Sequence, residues 1–279
     1  MPLSEKQGVG SSILPLATII MFSKIYDIGA NKGQNIEYFL SVSKKVIAVE
    51  PINELCLQIE KNFQKSIENN ELTILNFAVV NDENTTSLDF YLNRHKSWES
   101  SLIKNDKFKK VTVSATTLNK LFNQYGYPDC IKIDIEGYDL QVLKYMASSN
   151  ILPDYLSIEI QNKKTLDFVI NNFSFEYFNF VLGHRISEDY KHLNLKTHSS
   201  GPLGNDLKFK WVTKRLIKYY FIISRYGWID LHCTNLKYNN ENTIGIPKTL
   251  LYLLNDKIYR IFNPFRKRLV GKIKSILSK

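Results

Sequence analysis

Tyr26-Asp27-Ile28-Gly29-Ala30-Asn31-Lys32-Gly33 reads as a short apolar strand that runs straight into a glycine turn, and a helix is expected over residues 34–42. Two glycines let the backbone come close to a ligand, and the free N–H groups at a helix start attract a carboxylate. A second strand, Val46-Ile47-Ala48-Val49, then ends in Glu50-Pro51. An acid at that strand end can accept both hydroxyls of a ribose.

The same acid serves dinucleotide enzymes, but their G-x-G-x-x-G turn needs a glycine where this chain has Asn31. Without it a pyrophosphate cannot sit close to the turn. A phosphate loop is excluded because no GK[ST] ending follows. The pattern therefore points to a nucleoside without a diphosphate, which S-adenosylmethionine is. Asp27, Gly29, Asn31 and Gly33 are the candidates around its methionine portion and Glu50 and Pro51 around its ribose. Asn76, Phe77 and Ala78 are placed to flank adenine, with an ordinary core position as the alternative for Phe77 and Ala78.

Outward from this stretch, β-rich apolar runs alternate with amphipathic ones up to about residue 160, the pattern of a parallel sheet covered by helices. Strands are expected at 24–28, 45–49, 72–80, 129–135 and 155–160, and helices at 54–67, after an Asn53 cap, and at 138–147. Two further strands, 87–92 and 110–115, flank a polar loop at 93–109, and Thr116 or Thr117 caps a short helix ending near 124. Later elements are a helix at 166–172, a strand at 176–181, a polar loop at 183–208, a helix near 211–224 and a strand at 228–232. The order predicts an α/β fold of the Rossmann-like class: a doubly wound, mostly parallel sheet with helices on both faces.

The net charge of +10 suggests nucleic acid until its position is read. Residues 237–279 hold ten Lys/Arg against Glu241 and Asp256, so the body is near neutral and nucleic acid is disfavoured as a partner. Three parts follow: an extension at 1–20, a catalytic domain at 21–236 and a basic amphipathic tail at 237–279. The tail carries apolar residues at Leu251, Leu254, Ile258, Ile261, Phe262 and Phe265, a break at Pro264, and a second stripe at Leu269, Ile273, Ile276 and Leu277. Such a stripe either packs on the body or lies on an anionic membrane through 249–279. The apolar run at 13–22 is too short to span a bilayer. Cys56, Cys130 and Cys233 lie far apart without a CxxC pair, which fits buried thiols in a reducing, cytoplasmic setting.

In a doubly wound sheet ligands bind beyond the carboxyl ends of the strands. Asp134 and Glu136 end the fourth strand and Glu159 the fifth, which makes these three acids the catalytic candidates. Asp134 is read as general base, metal ligand or electrostatic partner of a sulfonium, or else as the cap of the Gly137 turn. No metal site is assigned, although Asp134 and Glu159 on adjacent strands leave a divalent ion open. His95, Trp98, Ser100 and Ser101 sit in a loop able to lid the site, or in a plain exposed loop. His184, His192, His198 and His232 are read as surface or core residues.

Lys132-Ile133-Asp134-Ile135-Glu136-Gly137-Tyr138, followed by Asp139, Val142 and Leu143, completes a series of blocks. Before it come Asp27 to Asn31 with Gly33, Val49-Glu50-Pro51, Phe77-Ala78-Val79, Ser100-Ser101-Leu102 and Thr117-Leu118. With these blocks in this order over about residues 24–161, the chain resembles the FkbM-type methyltransferase family. Residues 200–206 and 228–232 are similar to an end found in part of it. Asn119 departs from the acid expected after Thr117-Leu118. The resemblance implies a Rossmann-like class I methyltransferase fold, S-adenosyl-L-methionine as cofactor and an O-methyl product on a sugar, glycan or natural product. It does not fix the acceptor. A nicotinamide-dependent oxidoreductase and a non-catalytic binding module are the alternatives. The first is disfavoured by Asn31, the second by the retained acids Asp134, Glu136 and Glu159.

Overall fold

The computed structural model describes residues 21–93, 100, 102–103, 106–193, 195–196, 199–224, 228–238 and 243–277, so the 1–20 extension lies outside the described residues. In chain order the elements begin β1 (Ile25–Ile28), α1 (Ile36–Val42), β2 (Val46–Val49), α2 (Asn53–Asn62), α3 (Gln64–Glu68), β3 (Leu72–Leu75) and β4 (Ala78–Val79). Next are β5 (Ser87–Leu92), β6 (Lys109–Thr116), α4 (Leu118–Tyr125), β7 (Cys130–Ile133), α5 (Asp139–Ser148), β8 (Tyr155–Glu159) and α6 (Lys163–Asn172). The last are β9 (Tyr177–Leu182), α7 (Ile186–Asp189), α8 (Lys214–Ser224), β10 (Ile229–Thr234) and α9 (Ile246–Leu277).

Seven of these strands form one sheet in the order β3-β2-β1-β7-β8-β10-β9. β3, β2, β1, β7 and β8 run parallel, whereas β10 is antiparallel to both β8 and β9. This is the Rossmann-like, doubly wound fold expected from the alternating pattern. The chain winds outward from β1 to β3 and then returns to place β7 on the other side of β1. That reversal opens a crevice beyond the carboxyl ends of β1 and β7.

The two faces of the sheet differ. Tyr26, Ile28, Ile47, Val49, Ile131, Ile133, Leu156, Ile158 and Leu231 pack with residues of α4, α5, α6 and α8 and with Leu253 of α9 into the larger core. Burying each such side chain contributes roughly 1.5–3 kcal/mol. The opposite face holds Ile25, Val46, Ala48, Cys130 and Tyr155 against Ile36, Phe39 and Val42 of α1. It also carries a polar row, because Asp27 pairs in register with Lys132, Lys132 with Ser157, Ser157 with His232 and His232 with Asn179. All five are buried.

Three expectations need correction. The strand foreseen at 72–80 is two elements: β3 stays in the main sheet, while β4 joins β6 and β5 in a separate three-stranded sheet. Asn76 marks the break, its Nδ2 donating to the Glu50 carbonyl at 3.0 Å. Asn53 is the first residue of α2 and Ile52 holds the cap position. Pro264 does not end the tail helix, since α9 runs from Ile246 to Leu277; a proline can kink a helix at one lost hydrogen bond without stopping it.

The start of the tail is tied to the body. Ile244 forms a parallel bridge with Phe209, Leu253 is buried, and Asp256 accepts from His184 Nε2 at 3.0 Å while pairing with Arg260. Leu251, Leu254, Ile258 and Ile261 are exposed on the other side of the helix. Among the described residues no helix is long and apolar enough to cross a membrane.

Candidate active site

The turn after β1 is shaped by its backbone. Gly29 has a φ of +83°, and a Cβ there would stand 1.9 Å from the backbone oxygen of Asp134. Only glycine lets the ends of β1 and β7 lie this close. Asn31 takes a φ of 49°, a left-handed conformation that asparagine tolerates. Its N–H donates to Glu50 Oε2 at 2.8 Å. Gly33, with a φ of +77°, faces Ile36, Ile59 and Phe63 and serves packing between α1 and α2.

Glu50, at the end of β2, is buried, with each carboxylate oxygen already accepting a backbone N–H: Oε2 from Asn31 and Oε1 from Ile52 at 2.9 Å. Burial outweighs those two bonds and pushes its carboxyl up to about 7. The group is thus fixed in direction and poised between charge states near neutral pH. A ligand hydroxyl donating to it favours the charged form.

The end of β7 is organised by charge. Lys132 Nζ lies 3.0 Å from Asp27 Oδ1 and 3.6 Å from Asp134 Oδ2, and donates to the Gly29 carbonyl at 3.1 Å. Burial alone would discharge this ammonium, but Asp27 and Asp134 outweigh burial and hold its pKa above the ordinary lysine value. The following turn is held by Asp139, not by Asp134: its carboxylate accepts from the N–H groups of Ile135 and Gly137 at 3.0 Å each. Burial, helped by the charge of Asp134, pushes Asp139 up to about 6.

Relieved of the turn, Asp134 faces the crevice beside Glu136 and Glu159. One carboxylate oxygen of each lies within 4.8 Å of the others. Burial first and Asp134 second push Glu159 up to about 7. Asp230 of β10 pairs in register with Glu159 and is buried behind it.

Glu50, Lys132, Asp134, Glu136 and Glu159 share a cavity of about 270 Å³, close to the lower end of small-molecule sites, roughly 300–1,000 Å³; Asp139 and Asp230 do not line it. Of the residues expected from sequence, Gly29, Asn31, Glu50, Pro51, Ala78, Asp134, Glu136 and Glu159 line it, as does Phe77. Asp27, Gly33 and Asn76 do not reach it: Asp27 lies beneath as partner of Lys132, Gly33 packs between helices and Asn76 holds the β2 end. Lys132, Asn35, Phe90 and Trp228 line the cavity without having been foreseen. A lysine inside the apolar run Cys130-Ile131-Lys132-Ile133 was the available signal, since a buried lysine demands a partner. Ser100 and Leu102 of the candidate lid also line it, whereas His95, Trp98 and Ser101 lie outside the described residues, as does His198. His184 is tied to Asp256 and His232 to the Tyr155 hydroxyl at 2.9 Å, away from the cavity lining.

The family model of the methyltransferase FkbM domain matches residues 27–186. The chain belongs to this methyltransferase family. Among solved structures it is similar to the methyltransferase FkbM from Methylobacillus flagellatus KT, at 16% identity over 61% of this chain and 42% of that one, with a TM-score of 0.39. It is similar to SAH-bound methyltransferase PaMTH1 from Podospora anserina at 10% identity over 49% and 45%, TM-score 0.31. A third is precorrin-6y C5,15-methyltransferase from Geobacter metallireducens GS-15, at 12% identity over 59% and 71%, TM-score 0.35. The chain thus spans less than half the length of the first two. No curated protein matches it.

Proposed function

We propose that the protein uses S-adenosyl-L-methionine to methylate a hydroxyl of a small natural product or glycan. The observation that carries this reading is the meeting, in one cavity, of a backbone-held Glu50 with the Asp134, Glu136 and Glu159 carboxylates. The residues fit the cofactor. Glu50 presents a buried carboxylate with lone pairs left for ribose hydroxyls, and the Gly29–Asn31 backbone lies open to the cavity. Phe77 and Ala78 offer an apolar wall for an adenine, and Pro51 lines the same end.

When bound, the cofactor supplies a methyl group on a sulfonium. The chain's own task is to align the acceptor oxygen with that carbon and to exclude water. A sugar hydroxyl is a poor nucleophile, so Asp134 takes its proton or holds its charge as the new bond forms. Lys132 fixes the Asp134 carboxylate in place from below, and Glu159 and Glu136 complete an acidic rim toward the acceptor. A nicotinamide enzyme would need the pyrophosphate to approach a turn that carries Asn31 instead of glycine. Incubation with methyl-labelled S-adenosylmethionine and a panel of glycans and nucleotide sugars tests the assignment. Label transfer to an oxygen is the expected result, and transfer to none, with no binding of S-adenosylhomocysteine, would remove it.

One observation also favours a surface partner. Leu251, Leu254, Ile258 and Ile261 expose an apolar stripe along α9, and its sequence continues into Arg266, Lys267, Arg268, Lys272 and Lys274. This composition suits a helix lying on an anionic membrane. Sedimentation with phosphatidylglycerol vesicles at low salt is expected to carry the protein down, and a protein left in the supernatant would refute the docking.

A further inference from the structure

The cavity reaches across the sheet. At one end Glu50 and Pro51 follow β2; at the other Glu159 ends β8 and Trp228 directly precedes β10. In the strand order β2-β1-β7-β8-β10, Trp228 belongs four strand spacings from the Glu50 end, roughly 19 Å, and two from β7, roughly 10 Å. A methyl acceptor placed across Asp134 from the nucleoside therefore meets Trp228.

The indole is held in place by backbone on both sides. The Trp228 carbonyl accepts from the Gly183 N–H at 2.9 Å, and the next carbonyl, that of Ile229, accepts from the Ile160 N–H at 2.8 Å. A Cβ on Gly183 would stand 2.4 Å from Cδ2 and Cε2 of the indole and 2.5 Å from its Cγ. Three neighbouring ring atoms at nearly one distance place Gly183 under the face of the ring, not at its edge. Any side chain at position 183 would push the ring away. Trp228 is nevertheless 37% exposed while lining the cavity. A fixed aromatic ring that keeps open surface in a cavity with a few polar groups is the composition of a small-molecule site.

The partner follows from the chemistry of the two walls. The face of an indole is negative and attracts polarised C–H bonds. A pyranose ring carries such C–H bonds on its flat faces and hydroxyls around its edge. Asp134, Glu136 and Glu159 line the same cavity and offer oxygens to hydroxyl donors, while their charge works against a ligand that is itself an anion. We propose that Trp228 is the stacking platform for an uncharged pyranose and turns an edge hydroxyl of that ring toward Asp134. This rests on the methyltransferase reading and narrows its substrate to a neutral sugar ring. Gly183 is the positioning residue that lets the indole lie flat.

The test is fluorine NMR of the full chain labelled with fluorotryptophan, in the presence of S-adenosylhomocysteine, whose own binding is measured by calorimetry. The chain has three tryptophans, and Trp228→Phe assigns the resonance of interest. The probes are the methyl glycosides of glucose, mannose, galactose and glucuronic acid, with phenol as a flat aromatic alcohol. A saturable shift of the Trp228 resonance with at least one neutral glycoside is expected, and none with the glucuronide or phenol. Trp228→Ala should weaken glycoside binding about 10-fold or more, with S-adenosylhomocysteine affinity unchanged, and Trp228→Phe should restore most of it. Circular dichroism confirms folding, and the wild-type resonance decides the matter should Trp228→Ala fail to fold. No shift with any neutral glycoside while S-adenosylhomocysteine binds, or a shift with phenol or the glucuronide instead, would overturn the platform and leave the cofactor reading intact. A glycoside shift without S-adenosylhomocysteine binding would support the platform and remove the methyltransferase reading beneath it.

Discussion

The two halves of the cavity are built by different means. On the β1–β2 side position comes from the backbone: Gly29 allows contact with β7, and the N–H groups of Asn31 and Ile52 fix the Glu50 carboxylate. On the β7–β8 side position comes from side-chain charge, with Lys132 between Asp27 and Asp134 and with Asp139 bracing the turn. The first half is rigid and has little room for substitution. The second is set by electrostatics, so isosteric changes there should alter chemistry more than structure.

The sharpest way to break this contrast is Gly29→Ala. The added Cβ meets the Asp134 backbone oxygen at 1.9 Å in a left-handed conformation, so stability should fall by about 4 kcal/mol or more. Urea denaturation measures it, and a near-normal midpoint would show that the two strand ends can separate freely.

On the charged side, Asp134→Asn should slow methyl transfer by about 100-fold, the usual share of a general base, while S-adenosylhomocysteine affinity changes little. Steady-state rates beside calorimetry separate the two effects. Full activity would demote Asp134 to a structural neighbour of Lys132.

Glu50→Gln is expected to weaken cofactor binding by about 1.5–3 kcal/mol, the range for a hydrogen bond to a charged group, without unfolding the chain. Glu50 is pushed from 4.5 to about 7 in the free protein, so the folded state holds a proton that the unfolded chain releases earlier. This contribution to stability is fully present below pH 4.5 and is lost as pH rises through 7. Ribose hydroxyls favour the charged form, so cofactor binding should run the other way and tighten as pH rises toward 7. In Glu50→Gln that part of the profile should be flat.

The backbone-built half was the more legible in sequence. A strand, a glycine turn and an acid at the next strand end are local patterns, and they located Gly29, Asn31, Glu50 and Pro51 at the cavity. Local pattern failed where a residue's role depends on a distant partner. Asp27 looked like a cofactor contact because it sits beside Gly29, yet the register with Lys132 turns it into a buried counter-ion. Lys132, Asn35 and Trp228 line the cavity through packing between segments far apart in the chain, which no spacing reveals. The break of the third strand at Asn76 has the same origin, in a hydrogen bond to the end of β2. The tail was legible as an amphipathic helix, but which side faces the body came only from Leu253 and Asp256.

If this cavity takes a nucleoside without a diphosphate, calorimetry of the full chain with S-adenosylhomocysteine and NAD⁺ across pH 5.5 to 8 will separate the two ligands. The expected result is one S-adenosylhomocysteine per chain, with affinity that rises with pH and levels off near pH 7, and no heat from NAD⁺. Tight NAD⁺ binding with no response to S-adenosylhomocysteine at any pH would contradict it.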